Sequence, residues 1–558
     1  MRTIALDADR RAAGPYTLAA ALLDLLVPEA LDRRPDLVAA YDVELRVAAP
    51  RLRPLVPVRR RSLADDLPRG QRILIPGARR SLRIANGLAE FVRELLAVTG
   101  PLTLVVSNLG EADHTDRELV EVLRRRLDPG LLRVEEGPSS PGEGPLCADF
   151  DRYRDEGFHH AMVESGTEAL RGMAYEDDPE GWRTLVQRVA AALEAVEREE
   201  EARELYDRAR RLSTDPKHRA TIAYATAMIL VRHHDPARRD PGEAMAWINE
   251  AVTITSLLPD PRERAFHLGF DLNGKALVEL RAGRPDAALR LVEQAIALAD
   301  EHLADEHPVH RLVLRANRAQ LLAGAGRHEE ALADYTAAID ADPGYPDYYL
   351  DRGNLLNKLG RPEEALADYE TVMRLSPPFP EAYYNRSELR FAAGDLDGAR
   401  ADLDRTLELD PDFAPAYVNR CGLLALHGEY EQARQDVERG LALRPRDAHL
   451  LCVLGQVETA QGRHPEAYAA LDAALELDPD LAAAWGSRAV LAFERGDPDG
   501  ALSDLTRALK LTETAELLFN RAMVHRELGR AREARQDLLR AAELAPGDPD
   551  VGRALAEG

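Results

Sequence analysis

The chain has 558 residues, of which 45% are apolar and 30% are charged. This composition is typical of a soluble globular protein with enough apolar surface to bury a core. The formal net charge of -25 argues against a nucleic-acid-binding protein, because phosphate neutralisation requires a surplus of lysine and arginine. The three cysteines are too few for a disulfide framework and lie far from zinc-ligand spacing.

The beginning of the chain does not have the pattern of a secretory leader. Charged residues at positions 7, 9, 10 and 11 precede a short apolar stretch, which Asp24 interrupts. No run of about 18 apolar residues follows anywhere, so we predict no membrane span. We therefore expect a cytoplasmic protein, and the bias toward Ala, Arg, Leu, Gly and Pro suggests GC-rich, bacterial coding.

Residues 1–136 are predicted to form a small α/β domain. The predicted elements are a helix over Asp116–Leu127 and short strands over Arg72–Ile75, Leu102–Val106 and Leu131–Val134.

The stretch Leu102–Asp113 resembles a degenerate Walker-B region of signalling (STAND-like) ATPases. In this chain Ser107 and Asn108 stand where that family has its Mg²⁺-binding acid, and no Gly-x-x-x-x-Gly-Lys-[Ser/Thr] loop exists to cradle phosphates. The resemblance implies a degenerate, non-hydrolysing NTPase-like domain. An unrelated small α/β domain is the alternative.

Residues 137–182 are predicted to be a linker and helical connection, because 137–147 are rich in proline, glycine and serine. Before them lies one local basic cluster, which is either a solvated or internally docked face or a site for an acidic partner. It comprises Arg51, Arg53, Arg59, Arg60 and Arg61.

A repeat of 34 residues dominates the remainder of the chain. A glycine marks each regular unit, and an alanine follows it five residues later. The glycines are Gly326, Gly360, Gly394, Gly428, Gly462, Gly496 and Gly529. We predict seven regular units over 312–548, divergent copies over 183–311 and a polar tail over 549–558.

Each unit has the pattern of two helices joined by a tight turn. In one unit, Gly360 can adopt the left-handed conformation that ends a helix, and Pro362 suits the first turn of the next helix. The small residues Gly353 and Ala365 allow the two helices to approach closely. One helical hairpin cannot bury its apolar face alone, so we expect neighbouring units to stack.

The pattern Tyr349…Gly353…Leu356…Ala365…Tyr369…Val372…Pro377 is similar to the signature of the tetratricopeptide repeat (TPR) superfamily. The resemblance implies a mainly α fold, an α-solenoid (TPR superhelix) preceded by the small α/β domain. It also implies that the first helix of each unit lines a concave groove that binds a partner polypeptide.

Two positions covary along the array. Positions are counted from the first residue of each unit, which is residue 312 in the first regular unit. Position seven carries arginine and position 23 carries aspartate in six units, and the unit with Leu454 and Ala470 lacks both. Because half of a buried ion pair would leave an uncompensated charge, we predict a structural bridge within each hairpin. The predicted pairs are Arg318–Asp334, Arg352–Asp368, Arg386–Asp402, Arg420–Asp436, Arg488–Asp504 and Arg521–Asp537.

Position six is rich in asparagine, which can both donate to and accept from a peptide backbone. This pattern is similar to the asparagine ladder of the glycosyltransferase-type TPR superhelix, although these amides could equally be solvated without a ligand. With other residues of the first helices, the candidate groove residues are Asn317, Asp351, Asn354, Asn357, Asn385, Glu388, Phe391, Asn419, Gln456, Phe493 and Asn520.

A chaperone-type carboxylate clamp is not expected, because position five carries no lysine or arginine. The one dense histidine cluster, His302, His307 and His310 with Glu301 and Asp305, is interpreted as a solvated helix end rather than a metal site. Adjacent histidines such as His233 and His234 are expected to point apart on a helix. We find no catalytic constellation and predict neither a cofactor nor a metal.

The sequence therefore indicates a non-catalytic scaffold or adaptor. It would bind a protein or peptide partner with some basic residues in its groove, without nucleic acid or membrane, and it could also self-associate. Two alternatives stay open: a regulatory protein derived from a signalling ATPase, and an accessory subunit that presents a peptide substrate to a separate modifying enzyme.

Overall fold

A computed structural model describes residues 2–59, 62–63, 80–140, 142–303 and 306–557. Within these residues the chain forms three strands and 28 helices. It divides into two compact units, Met1–Ala382 and Tyr383–Gly558.

The first unit begins with a small parallel sheet in the order β1-β2-β3. Its strands are β1 Arg2–Asp7, β2 Leu102–Ser107 and β3 Leu132–Glu136. Alternate residues of β2 are fully buried, as expected for a strand that packs helices on one face. Strands β2 and β3 match predicted strands, whereas β1 was not predicted and residues 72–75 lie outside the described residues.

Helices cover this sheet and share one apolar core with it. They are α1 Thr17–Arg33, α2 Pro35–Ala40, α3 Asp42–Ala48, α4 Arg80–Thr99, α5 His114–Arg126, α6 Phe150–Glu156 and α7 His159–Arg171.

The same unit continues as helical hairpins. Their helices are α8 Pro179–Ala195, α9 Glu199–Leu212, α10 Pro216–Arg232, α11 Pro241–Ser256, α12 Pro261–Arg281, α13 Pro285–His302, α14 Pro308–Gly324, α15 His328–Ala341, α16 Pro346–Lys358, α17 Pro362–Leu375 and α18 Pro380–Ala392. The division between the units falls within α18.

The second unit consists of further hairpins. Its helices after α18 are α19 Leu396–Leu409, α20 Ala414–Leu426, α21 Tyr430–Leu443, α22 Ala448–Ala460, α23 His464–Leu477, α24 Ala482–Glu494, α25 Pro498–Leu511, α26 Ala515–Glu527, α27 Ala531–Leu544 and α28 Pro549–Glu557.

Glycine at the hairpin turn explains why each first helix ends where it does. The glycines of the seven regular units have φ between 70° and 79°, a left-handed conformation that side chains with a Cβ rarely adopt. The alanine five residues later is buried in every regular unit. The spacing of these two residues therefore sets the hairpin geometry along the array.

The predicted polar tail is wrong as a description of residues 549–557, which form α28. Val551 and Ala554 of this helix are buried against Leu518, Ala522 and Leu538 of the last hairpin. The apolar residues are spaced on one face of a short charged helix, so the segment covers core surface that would otherwise face water.

The fold class predicted from the sequence is confirmed: a mainly α, TPR-like solenoid preceded by a small α/β part. None of the helices formed by the described residues is both long and apolar enough to cross a bilayer.

Candidate functional site

The structure brings all six predicted arginine–aspartate partners together. In each hairpin Nε and Nη2 of the arginine donate to the two carboxylate oxygens of the aspartate, at 2.6–2.9 Å. Such two-point, charge-assisted contacts hold both side chains in a fixed geometry.

These pairs lie between the two helices of a hairpin. Five of the six aspartates are no more than 8% exposed, and the hydrogen bonds that Arg318 donates to Asp334 raise the pKa of the Arg318 guanidinium. The hydrogen-bonding atoms that form the pairs are thereby satisfied within the protein. We propose that their role is to fix the register of the two helices.

The position-six side chains of the repeats in the first compact unit, Met1–Ala382, contact neighbouring repeats. Asn317 Nδ2 donates to Asn273 Oδ1 at 2.9 Å, and Asp351 accepts from Gln320 Nε2 at 3.3 Å. Burial, together with a smaller effect of the nearby Asp347, raises the pKa of the Asp351 carboxyl to about 6, although the hydrogen bond from Gln320 lowers it. Asn354, also on α16, accepts from the Tyr369 hydroxyl at 2.9 Å, and Asn357 is half-buried.

The groove candidates on the first helices of the second unit are grouped here under one name, the amide strip. It comprises Asn385, Glu388, Phe391, Asn419, Gln456 and Asn520. Asn419 Nδ2 donates to the Tyr384 hydroxyl at 3.2 Å, and Gln456 Nε2 donates to Ser487 Oγ at 2.9 Å. These contacts link successive first helices. Phe493 is not part of the strip. It packs against an apolar cluster that includes Ala489 and Leu505.

The amide strip also exposes hydrogen-bond acceptors and an aromatic ring. Within the described part of the chain, the side-chain oxygens of Asn419 and Gln456 accept no hydrogen bond. Phe391 is 50% exposed, and it lies one helical turn from the exposed Glu388. The arrangement can accept backbone N–H groups and pack an apolar side chain.

The histidine cluster of the sequence analysis is a packing feature. His307 stacks on Phe266 and His310 on Phe270, with ring centroids 4.0 and 4.4 Å apart. His310 is 1% exposed, and burial lowers its pKa to about 4. Asp305 lies outside the described residues.

His233 and His234 do not point apart as expected, because they lie just past the end of α10, where their rings stack 4.7 Å apart. Together with Glu199 they offer three possible metal ligands within 4.8 Å of one another. However, His233 Nδ1 already accepts the Asp235 N–H at 3.1 Å, and Arg238 pairs with the neighbouring Glu200. We therefore assign no metal to this group.

The basic cluster makes contacts within the α/β part. Arg51 pairs with Asp24, Arg53 Nη2 lies 2.7 Å from Glu156 Oε1, and the Arg59 backbone N–H donates to Asp42. Arg60 and Arg61 lie outside the described residues.

At the start of α1, the Asp116 carboxylate accepts the N–H groups of Leu18 and Ala19 at 2.8 and 3.0 Å. Burial raises the pKa of this carboxyl to about 7. A helix N-terminus can hold a phosphate, but here an internal carboxylate takes that place. The likeness to signalling ATPases stays a prediction.

Two residues that the sequence analysis did not single out touch the repeats. Leu63 packs against a cluster that includes Leu312, Ala316 and Tyr348, and Arg83 reaches Glu381. Residues 83 and 381 are 298 positions apart, so no local pattern signals the contact.

Comparison with known families supports the repeat assignment. A family model described as tetratricopeptide repeat matches residues 273–346, 316–377, 350–412, 424–482 and 487–549. Tetratricopeptide repeats are thus recognised over these residues. A curated relative, Tetratricopeptide repeat protein 6 of Homo sapiens, is 33% identical over 87 residues, which are 16% of this chain and only 17% of that protein.

Several solved structures are similar over larger parts of the chain. One chain of the APC/C hetero-tetramer Cut9–Hcn1 aligns over 74% of this chain and 96% of its own length, with 13% identity and a TM-score of 0.37. Yeast Tom70 aligns over 72% and 95%, with 16% identity and a TM-score of 0.33. YrrB, described as a TPR protein with an unusual peptide-binding site, aligns over 33% and 96%, with 21% identity and a TM-score of 0.24.

Proposed function

We propose that the protein is a non-catalytic interaction scaffold that binds a partner polypeptide along the first helices of its repeats. The observation that carries this proposal is the amide strip. The side-chain N–H groups of Asn419 and Gln456 donate to neighbouring first helices, while the side-chain oxygens of these two residues accept nothing within the described part of the chain. Acceptors fixed in this way are suited to the backbone N–H groups of an extended peptide.

The chemistry of the strip also favours a particular kind of partner. Glu388 carries a negative charge next to the half-exposed Phe391, and the whole chain has a net charge of -25. A segment with some basic residues and an apolar side chain complements this surface. Each amide contact contributes only about 0.5–1.5 kcal/mol net, so affinity depends on several contacts formed together.

The experiment is affinity capture with mass spectrometry, using the full chain and an Asn385→Ala/Asn419→Ala variant. A matched control removes two exposed amides from the second helix α21 instead, as Gln432→Ala/Gln435→Ala. We expect the strip variant to lose at least one partner that the wild type and the control both retain. Equal recovery of every partner from all three proteins would reject the amide strip as the binding surface.

A further inference from the structure

In the first unit the repeats present an acidic and aromatic face next to the α/β part. It comprises Tyr345, Asp347, Tyr348, Phe379 and Glu381, and we call it the acidic face. The rings of Tyr345 and Tyr348 lie 4.7 Å apart. Asp347 lies at the first turn of α16 and Glu381 at the first turn of α18.

Arg83 of the α/β part lies on this face. Its guanidinium carbon is 3.7 Å from the centroid of the Phe379 ring, and Nη2 is 3.2 Å from Glu381 Oε1. Its side chain is only 18% exposed. A cation over an aromatic face and beside a carboxylate is attracted by both.

Leu63 provides a second contact from the same part of the chain. It packs against the apolar cluster that contains Leu312, Ala316, Ile339 and Tyr348. Ala316 occupies position five of its unit, on the same helix as the groove candidate Asn317. One apolar side chain and one arginine from the α/β part of this chain thus contact residues of its own repeats.

The arginine contact is incomplete. Within the described residues, Glu381 Oε2 is buried and has no hydrogen-bond partner. A buried acceptor without a donor is costly, about 1–3 kcal/mol. An arginine that approached from a second polypeptide could donate to both oxygens at once, as the six arginines within the hairpins do to their aspartates.

We propose that the acidic face binds a partner segment presenting an apolar side chain and an arginine, and that Leu63 and Arg83 of the same chain hold that place until the partner displaces them. This inference rests on the proposed scaffold function and names a partner chemistry and a form of regulation for it. An internal competitor acts at a high effective concentration, and it reduces the apparent affinity of an external segment accordingly.

Release of the internal contacts can be measured with an Ala316→Cys reporter. Ala316 is 8% exposed next to Leu63, and Cys147 is replaced by serine in all variants. Cys421 and Cys452 are buried, and burial raises the pKa of both thiols, so they react slowly with maleimide. In a Leu63→Ala/Arg83→Ala background we expect the reporter to react about tenfold faster or more, because the cover is weakened. An unchanged rate would overturn the proposal.

Binding is measured with a short fluorescent peptide of alternating leucine and arginine. A leucine–glutamate peptide serves as its counterpart. We expect the Leu63→Ala/Arg83→Ala variant to bind the arginine peptide about tenfold more tightly than the wild type or more. The further change Glu381→Gln should return affinity to the wild-type level. Arg553→Ala, an exposed arginine on α28, controls for the loss of one positive charge.

The outcomes separate the two proposals. Equal affinity of wild type, Leu63→Ala/Arg83→Ala and Arg553→Ala would overturn the internal competitor, and a gain that survives Glu381→Gln would overturn the arginine site. A folding control compares Arg83→Glu, which should label fast, with the Arg83→Glu/Glu381→Arg charge swap, which should label slowly again. Fast labelling of both would overturn the contact between positions 83 and 381 as part of the cover. Failure of the amide strip in the capture experiment would leave these results unaffected, because Asn385 and Asn419 are not substituted here.

Discussion

Two consecutive hairpins of the second unit solve the same packing problem with different chemistry. In α20–α21, Arg420 donates to Asp436 from Nε and Nη2, both at 2.7 Å. In α22–α23 the same positions hold Leu454, which packs against an apolar cluster, and Ala470, which is buried. The hairpin therefore does not require the ion pair, but neither partner is found without the other.

The largest expected effect comes from breaking one side of the ion pair. Arg420→Leu copies Leu454 but leaves the Asp436 carboxylate, which is 6% exposed, without its main partner. We expect a loss of about 3 kcal/mol, because an uncompensated buried charge is strongly unfavourable. Hydrogen exchange of amides in α20 and α21 measures this locally, since repeat arrays can open in parts.

The double change Arg420→Leu/Asp436→Ala reproduces the whole neighbouring arrangement. We expect it to recover to within about 1 kcal/mol of the wild type, because apolar replacement of a buried pair is often neutral. If the single and double variants lose the same stability, the pairing is not what couples the two positions.

A smaller effect is expected at position eight, where the apolar hairpin carries the glycine Gly455. A Cβ at Gly455 would lie 2.4 Å from Leu471 Cγ, whereas α20 carries Cys421 at the same position. Gly455→Ala should therefore cost about 1–3 kcal/mol through overpacking, measured by urea unfolding. The control is Gly422→Ala on α20, where a Cβ would meet nothing within 4 Å. This change should stabilise by up to about 1 kcal/mol, and equal effects at both sites would contradict the close approach.

The smallest effect extends the comparison to position six, where α16 carries Asp351 and α20 carries Asn419. Because burial raises the pKa of Asp351 to about 6, above its ordinary value of 3.8, the folded state binds the proton more tightly than the unfolded state. Protonation of Asp351 therefore adds its whole contribution to the free energy of unfolding below about pH 4. This contribution is lost as the pH rises through 6.

Asp351→Asn should consequently stabilise the protein at pH 7–8, by on the order of 1 kcal/mol after solvent relaxation is allowed for. The difference from wild type should shrink as the pH falls toward 4. Thermal unfolding midpoints across this range test the prediction, and a pH-independent difference would contradict it.

The repeat was predictable because its signals are local. The turn glycines, the buried alanines five residues later and the covarying arginine and aspartate all lie within one hairpin, where spacing determines geometry. The same reasoning did not find β1, a single short strand whose partner β2 begins about 95 residues later along the chain. It also interpreted the segment that forms α28 as a polar tail, because only two of its residues are buried and most of the others are polar or charged.

Contacts that depend on tertiary structure escaped prediction altogether. The stacking of His310 on Phe270 and the approach of Arg83 to Phe379 join residues far apart in sequence. Among the groove candidates, only the structure distinguishes Phe493, which packs in the core, from Phe391, which is half exposed. Both occupy position twelve of their repeats, so the repeat pattern alone predicts the same environment for the two side chains.

The short helix α28 has a practical consequence for anyone who shortens this chain. A fragment that ends at residue 548 would expose Leu518 and Leu538 to solvent. Newly exposed leucines of this kind favour aggregation of the purified protein. Boundaries chosen for expression should therefore retain Pro549–Glu557, even though the repeat signature ends before them.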